Sequence, residues 1–357
     1  MQIMKRYKKV LLVAVMAAGL IAPNELFAGN PDRAGSAGGL QLLINPWVRS
    51  GAFSGANIAD GTPVESMFLN VAGMAFVEQT EVAFTHTNYL SGADVGINTV
   101  AIAQRVGETS VLGLTVSAFD FGDIRRTTTE TPDGDGTFFN VNMTNIGISY
   151  AKAFSNSIYG GITLKVISES VADLNASGVA FDAGIKYVTG ERDQIKFGIT
   201  LKNVGPPISF SGDGLSFQST APQNLYQFTA ELRSANYELP SLVTIGFSYD
   251  FLLPENHFLT AHGAFTANSF SNDNYLLGLE YSFMQKFYLR GGYHYEENIW
   301  DDAERRYAYT GLSAGAGVEF EFGDRGSRIS VDYAYRATMP FDGTHSIGAR
   351  IHLGRPQ

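Results

Sequence analysis

Long segments in which apolar and polar side chains alternate with a period of two constrain this chain more than any other feature. From Ser157 to Ser168, Ile158, Gly160, Ile162, Leu164 and Val166 fall on one face, and Tyr159, Gly161, Thr163 and Lys165 on the other. The same device recurs in Gly178 to Val188, where Val179, Phe181, Ala183, Ile185 and Tyr187 oppose Asp182, Gly184 and Lys186. It returns in Asp193 to Asn203, with Ile195, Phe197, Ile199 and Leu201 against Lys196, Thr200 and Lys202, and again around Val331, Tyr333 and Asp332. Side chains of an extended chain alternate between two faces, so these are strands with one apolar and one polar side.

A soluble sandwich turns the apolar face inward, whereas a membrane barrel turns it to lipid and keeps a polar lumen. Alternation alone does not separate the two, but strand length and loop pattern do. Soluble strands average about 5–6 residues and tilted spanning strands need about 9–11. The segments here are of the longer kind, and about fourteen begin near Thr80, Asp94, Ser110, Met143, Ser157, Gly178, Asp193, Leu239, Asn256, Asn272, Lys286, Tyr309, Ser327 and His345. Their connections alternate between short ones, such as Phe154 to Asn156 and Gly323 to Gly326, and long ones, such as Phe121 to Asn142, Glu169 to Ser177, Val204 to Glu238 and Glu297 to Ala308. Short periplasmic turns and long outer loops are the habit of outer-membrane barrels. The expected fold is all-β, a transmembrane antiparallel β-barrel of about fourteen strands, with both termini on the periplasmic side. Ser346, Gly348, Ile351 and Leu353 follow a terminal spacing resembling the signal read by outer-membrane assembly machinery, without its final aromatic residue.

Lys5, Arg6, Lys8 and Lys9 precede an apolar run from Val10 to Ala22, and Ala28 offers a cleavage point. This reads as a signal peptide over residues 1–28, since the run is shorter than the roughly 20 apolar residues of a spanning helix. The alternative is a retained anchor. Losing those four cations and Glu25 takes the net charge from −10 to −13, which argues against nucleic acid as a partner. The absence of cysteine excludes disulfides and thiolate metal sites.

Residues 29–78 mix small and isolated apolar residues without alternation, which predicts a short helical hatch packed inside the lumen of a barrel formed by residues 79–357; a periplasmic tail is the alternative. Within the hatch, Val48 to Ala56, including Arg49 and Gly55, then Asp60, and later Asn70, Ala72, Gly73 and Ala75, resemble the opening of the PorV/PorQ family, relatives of FadL-type barrels in bacteria with type IX secretion. Val71 stands where proline is usual. Gly147 to Lys152, Gly160 to Lys165, Phe181 to Gly184, Asn203 to Gly205 and Arg290 to Tyr293 extend the resemblance over most of the chain. It implies a FadL-like barrel with an N-terminal segment in its lumen. The implied role is non-enzymatic, in type IX protein secretion and surface attachment, with a translocon subunit or a cargo sorting domain as partner and outer-membrane lipid around the wall.

Long outer loops suit such a role, and Pro206, Pro207, Phe210 and Phe217 in the longest are candidate partner contacts. The rival function is a FadL-like transporter of fatty acids or other hydrophobic molecules, whose sign would be an apolar lumen pocket. The inward faces that alternation assigns carry charge: Lys165, Lys186, Lys196 and Lys202, with Asp182 expected as a partner, since a buried charge must be paired or wetted. An ion-selective path is the alternative reading of these lysines.

No cofactor or metal is expected. Gly311-Leu312-Ser313-Ala314-Gly315 matches a nucleophile elbow, but strand continues where a helix is required. The six histidines lack paired ligand spacing, although His294 beside Glu296 is a lumen candidate. Asp133-Gly134-Asp135-Gly136 has carboxylates for calcium without the full loop pattern, and a solvated acidic turn is its plainer reading.

Overall fold

The computed structural model describes residues 29–220, 226–254, 256–323 and 326–354; the expected signal peptide lies outside these residues. Seven strands come first: Thr80–Tyr89 (β1), Val95–Arg105 (β2), Ser110–Arg125 (β3), Phe138–Ala153 (β4), Ile158–Val171 (β5), Leu174–Thr189 (β6) and Ile195–Val204 (β7). A hairpin of Ser216–Thr220 (β8) and Gln227–Glu231 (β9) stands apart. Leu242–Leu252 (β10), His257–Asn268 (β11), Asn274–Phe283 (β12), Phe287–Glu296 (β13), Tyr309–Phe322 (β14), Ser327–Thr338 (β15) and Thr344–Leu353 (β16) complete the set. All strands but β8 and β9 form one closed antiparallel barrel in chain order, β16 pairing with β1 from Thr80↔Leu353 to Asn88↔His345. Closure leaves no open edge, so every barrel strand has its backbone paired within the hydrocarbon region.

The alternation reads outward as lipid-facing. Leu164 is 51% exposed and its neighbour Thr163 2%; Ile185, Ile199, Leu277, Leu289 and Ile347 are likewise exposed on the outer wall. Phe154, Phe251, Phe287, Phe320 and Phe322 ring the wall toward the short turns, and Tyr275 and Tyr295 toward the long loops, the placement of aromatic girdles at membrane interfaces. β3, β4 and β6 have 16 residues and β5 has 14, more than the roughly 11 that a crossing uses. Their surplus lengths rise past the other strands as a rim at the long-loop mouth.

That rim corrects one expected loop. Glu169 to Ser177 is not a long connection, because β5 and β6 stay paired to Val171↔Leu174 and only Ala172 and Asp173 turn, Ala172 in the left-handed region at φ 50°. Polar residues on both strands there can still pair backbone to backbone above the bilayer. The long connection after Val204 carries order that its composition did not announce: the β8–β9 hairpin, and an inward base where Ile208 bonds Tyr237 through both backbone groups.

Residues 29–79 form short helical turns, among them Leu40–Leu43, Val48–Gly51, Glu65–Met67 and Val71–Phe76, and from Gln41 to Val77 they are packed almost wholly buried inside the barrel as a plug. Trp47, Phe53, Val64 and Met74 are fully buried in it. Asn70 caps the last turn, its side-chain oxygen accepting from the Ala72 amide, so the corner into β1 forms with Val71 in place of proline. The plug runs the whole length of the lumen. Asn30 bonds Asn268 at the long-loop mouth, and Thr80 opens β1 beside Leu353 at the other. The first described residues and the end of the last strand therefore sit at opposite mouths of the barrel.

Two wall glycines show how close the plug lies. A Cβ at Gly292 would fall 2.4 Å from the backbone of Phe53, and one at Gly184 would fall 2.1 Å from the Asn70 side chain. Asn70 also donates to the Ile185 carbonyl at 3.0 Å. Only glycine lets the plug come so near the wall at these two points.

Candidate functional site

The lumen is held by ion pairs between plug and wall. Alternation puts Lys186 and Lys196 inward on β6 and β7, and both reach Asp60 of the plug, at 3.6 and 2.7 Å; Lys196 also meets Asp250 at 2.7 Å. Lys165 pairs with Asp182 at 2.5 Å, as charge compensation anticipates. Lys202 joins none of these and lies over the Phe68 ring at 3.5 Å.

Across the lumen, Arg49 of the plug donates to Glu280 at 2.6 Å, Glu280 accepts from Arg290 at 2.7 Å, and Arg290 reaches Asp332 at 2.5 Å. Glu81, Glu319 and Arg350 continue the network toward the short-turn mouth. Of the residues singled out in the sequence, Asp60 and Arg49 thus join the wall charges. Gly55, at φ 85°, Ala72 and Gly73 are buried parts of the plug. Glu280 and Glu319 were missed, and Arg290 was noted only within the family resemblance and not as a lumen charge, although each sits at an inward position of an alternating strand.

Above the plug, toward the long-loop mouth, lies a cavity of about 190 Å³. Its floor is plug, with Leu43, Ile58, Phe68 and Leu69, and its walls include Leu242, Leu276 and Tyr309. Its apolar surface comes largely from residues without alternation, which is why strand patterning revealed only the charged faces of the lumen.

A second space of about 350 Å³ lies at the β7–β10 seam, lined by Leu201, Val204, Val243 and Ala267. The two strands pair only as far as Lys202↔Leu242. Beyond that point Asn203 turns into the left-handed region at φ 60°, its side chain bonding Lys165 and the Pro240 carbonyl and its amide bonding Asp182. Leu242 lines both spaces.

Among the partner-loop candidates, Pro206 and Pro207 are exposed, whereas Phe210 turns onto Tyr237 at 5.9 Å between ring centres. Tyr237 donates to Glu169 at 3.1 Å, and burial together with that carboxylate pushes its hydroxyl pKa up. Phe217 lies on the hairpin, 45% exposed. Hairpin register places Phe217, Phe228 and Ala230 on one face and Gln218, Thr220, Gln227 and Thr229 on the other.

The remaining motifs have structural employment. Ser313 lies within β14 and its hydroxyl donates to the Ala52 carbonyl at 2.9 Å, which ties wall to plug. The Asp135 carboxylate accepts from the hydroxyl and amide of Thr137, and those bonds hold its pKa below the usual value. Among the described residues no group of three His, Asp or Glu is arranged to hold a metal.

A closed barrel of fourteen antiparallel strands around a small helical N-terminal segment is the architecture of FadL-type outer-membrane proteins. The CymD monoaromatic hydrocarbon channel is similar to this chain over 87% of it and 98% of that protein, with a TM-score of 0.56 and 14% identity. The Pseudomonas putida toluene transporter TodX matches over 86% and 97%, with a TM-score of 0.51 and 11% identity. A Pseudomonas aeruginosa FadL homologue matches over 85% and 96%, at 0.51 and 12%. No family model and no curated protein matches the sequence. At these identities the likeness is one of fold.

Proposed function

We propose that this chain is an outer-membrane conduit for small hydrophobic molecules, taken from the outside into the lumen cavity and released sideways into the membrane. The observation that carries this reading is Leu242, shared by the cavity above the plug and the space at the β7–β10 seam. A solute crossing there would leave a plugged lumen without the plug moving and would avoid the charged network below. That solved neighbours of the same fold are described as a monoaromatic hydrocarbon channel and a toluene transporter supports the same class. Placing tryptophan at position 242 fills the seam. Toluene uptake by cells carrying Leu242→Trp should fall well below wild type at equal barrel abundance, and unchanged uptake would remove this route.

A second reading follows from the PorV/PorQ resemblance: export or surface attachment of proteins, with the long loops docking a translocon subunit or cargo. The exposed apolar face of the β8–β9 hairpin favours it, because a lone two-stranded ribbon is marginal in water without something to pack on. Removing residues 206–238 and purifying the barrel from native membranes tests it. Loss of a co-purifying secretion subunit supports the reading; retention of that subunit takes the loop out of it.

A further inference from the structure

Among the described residues, five lysines and arginines are buried to below a tenth of their surface: Lys165, Lys186, Lys202, Arg290 and Arg336. Lys165, Lys186 and Arg290 each have a carboxylate within ion-pair distance. Lys202 and Arg336 have none among the described residues, and both line the cavity above the plug. They come from β7 and β15, six strands apart in the barrel order, and so face the cavity from opposite walls. Each rests instead on an aromatic ring, Lys202 on Phe68 at 3.5 Å and Arg336 on Tyr309 at 4.8 Å.

No aspartate or glutamate lines this cavity, in a chain whose acidic residues outnumber its basic ones by ten. The Tyr309 hydroxyl and His294 Nε2, also in the lining, are buried without a hydrogen-bond partner. Arg336 donates only to the Asn45 carbonyl, at 3.4 Å; buried cations without a counter-charge are costly, and an anion arriving with the ligand would supply it.

From this lining we infer that the cavity selects a small organic anion, a single carboxylate on a compact apolar body, over an uncharged hydrocarbon of the same size. The inference rests on the conduit reading and narrows its substrate class. Size sets the other limit. A dry cavity of about 150 Å³ accommodates benzene, so about 190 Å³ holds one ring with its carboxylate. In the bound state the carboxylate lies toward Lys202 or Arg336, with the Tyr309 hydroxyl donating to it, and the ring covers Leu242, Leu276 and Leu69.

The test uses the full-length mature barrel in detergent, with benzoate and toluene as probes in a calorimetric titration. Benzoate is expected to bind at least about tenfold more tightly than toluene, a difference of about 1.4 kcal/mol. Lys202→Gln and Arg336→Gln should each erase that preference, weakening benzoate about tenfold or more. Benzoate affinity in the unmodified protein should also weaken as its pH is brought below the benzoate pKa, a measurement that needs no variant to fold. Equal binding of the two probes, or a benzoate preference untouched by both substitutions, overturns the inference and leaves the conduit reading standing. Failure of both probes to bind overturns both.

Discussion

Removing the Glu280 carboxylate should loosen the plug without dissolving the barrel. Glu280 accepts from Arg49 of the plug at 2.6 Å and from Arg290 of the wall at 2.7 Å. In Glu280→Ala, Arg290 keeps Asp332 at 2.5 Å, but Arg49, with 18% of its side chain exposed, has no other carboxylate in contact. Breaking a buried pair from one side costs about 3–5 kcal/mol; with only one of the two cations orphaned, the lower end applies, about 3 kcal/mol. The chain holds two tryptophans, Trp47 buried in the plug and Trp300 exposed on an outer loop. With Trp300→Phe as background, Trp47 emission during urea titration in lipid vesicles therefore reports plug release alone. The Trp47 transition should move to lower urea in Glu280→Ala, ahead of the loss of β-sheet circular dichroism. Adding Arg49→Met, which removes the orphaned charge, should recover most of the shift. A Trp47 midpoint within about 1 kcal/mol of the parent in Glu280→Ala, or no recovery in the double variant, refutes the assignment of this pair as the tie between plug and wall.

Other substitutions probe other parts of the account. Gly292→Ala places a methyl against the Phe53 backbone, which cannot rotate away, and should cost about 1–3 kcal/mol in the same Trp47 assay. Val71→Pro puts proline at the first position of a turn already capped by Asn70 and should leave stability unchanged or raised by about 0.5 kcal/mol; a loss beyond about 2 kcal/mol, the size of a backbone clash rather than of a compatible proline, would contradict the corner described. Deleting residues 215–232, the hairpin and its flanking leucines, should not alter the heat-dependent gel mobility of the barrel, since the hairpin pairs with no barrel strand; disappearance of the folded band would show that it does.

The barrel was legible because lipid on one side and a polar lumen on the other impose a two-residue period over every crossing. Thr80, Ser110, Tyr309 and Ser327 open strands at the positions the alternation indicates. Where the rim rises above the bilayer that constraint ends, and Glu169 to Ser177 reads as loop although it pairs as strand. The inward lysines were equally legible, but their partners were not. Asp60 lies in the plug, more than a hundred residues from Lys196, and nothing local marks it as the counter-charge. The cavity was hidden for the same reason: Leu43, Ile58, Phe68 and Leu69 belong to a segment without period, and only the path of the plug brings them beneath Leu242 and Leu276. Lys202 looked like its three neighbours on sequence grounds, and its lack of a carboxylate emerges only once every other charge has been placed.

The claim beneath all of this is which face of each strand meets lipid. A chain without cysteine accepts single nitroxide labels cleanly, so paired positions on one strand can be compared in lipid vesicles by electron paramagnetic resonance. Labels at Leu164 and Ile199 should collide freely with dissolved oxygen and hardly at all with a water-soluble nickel complex, while labels at Thr163 and Thr200 should be shielded from oxygen by plug and wall. Nickel access at Leu164 and Ile199 with oxygen access at Thr163 and Thr200 would turn the barrel inside out and contradict the account.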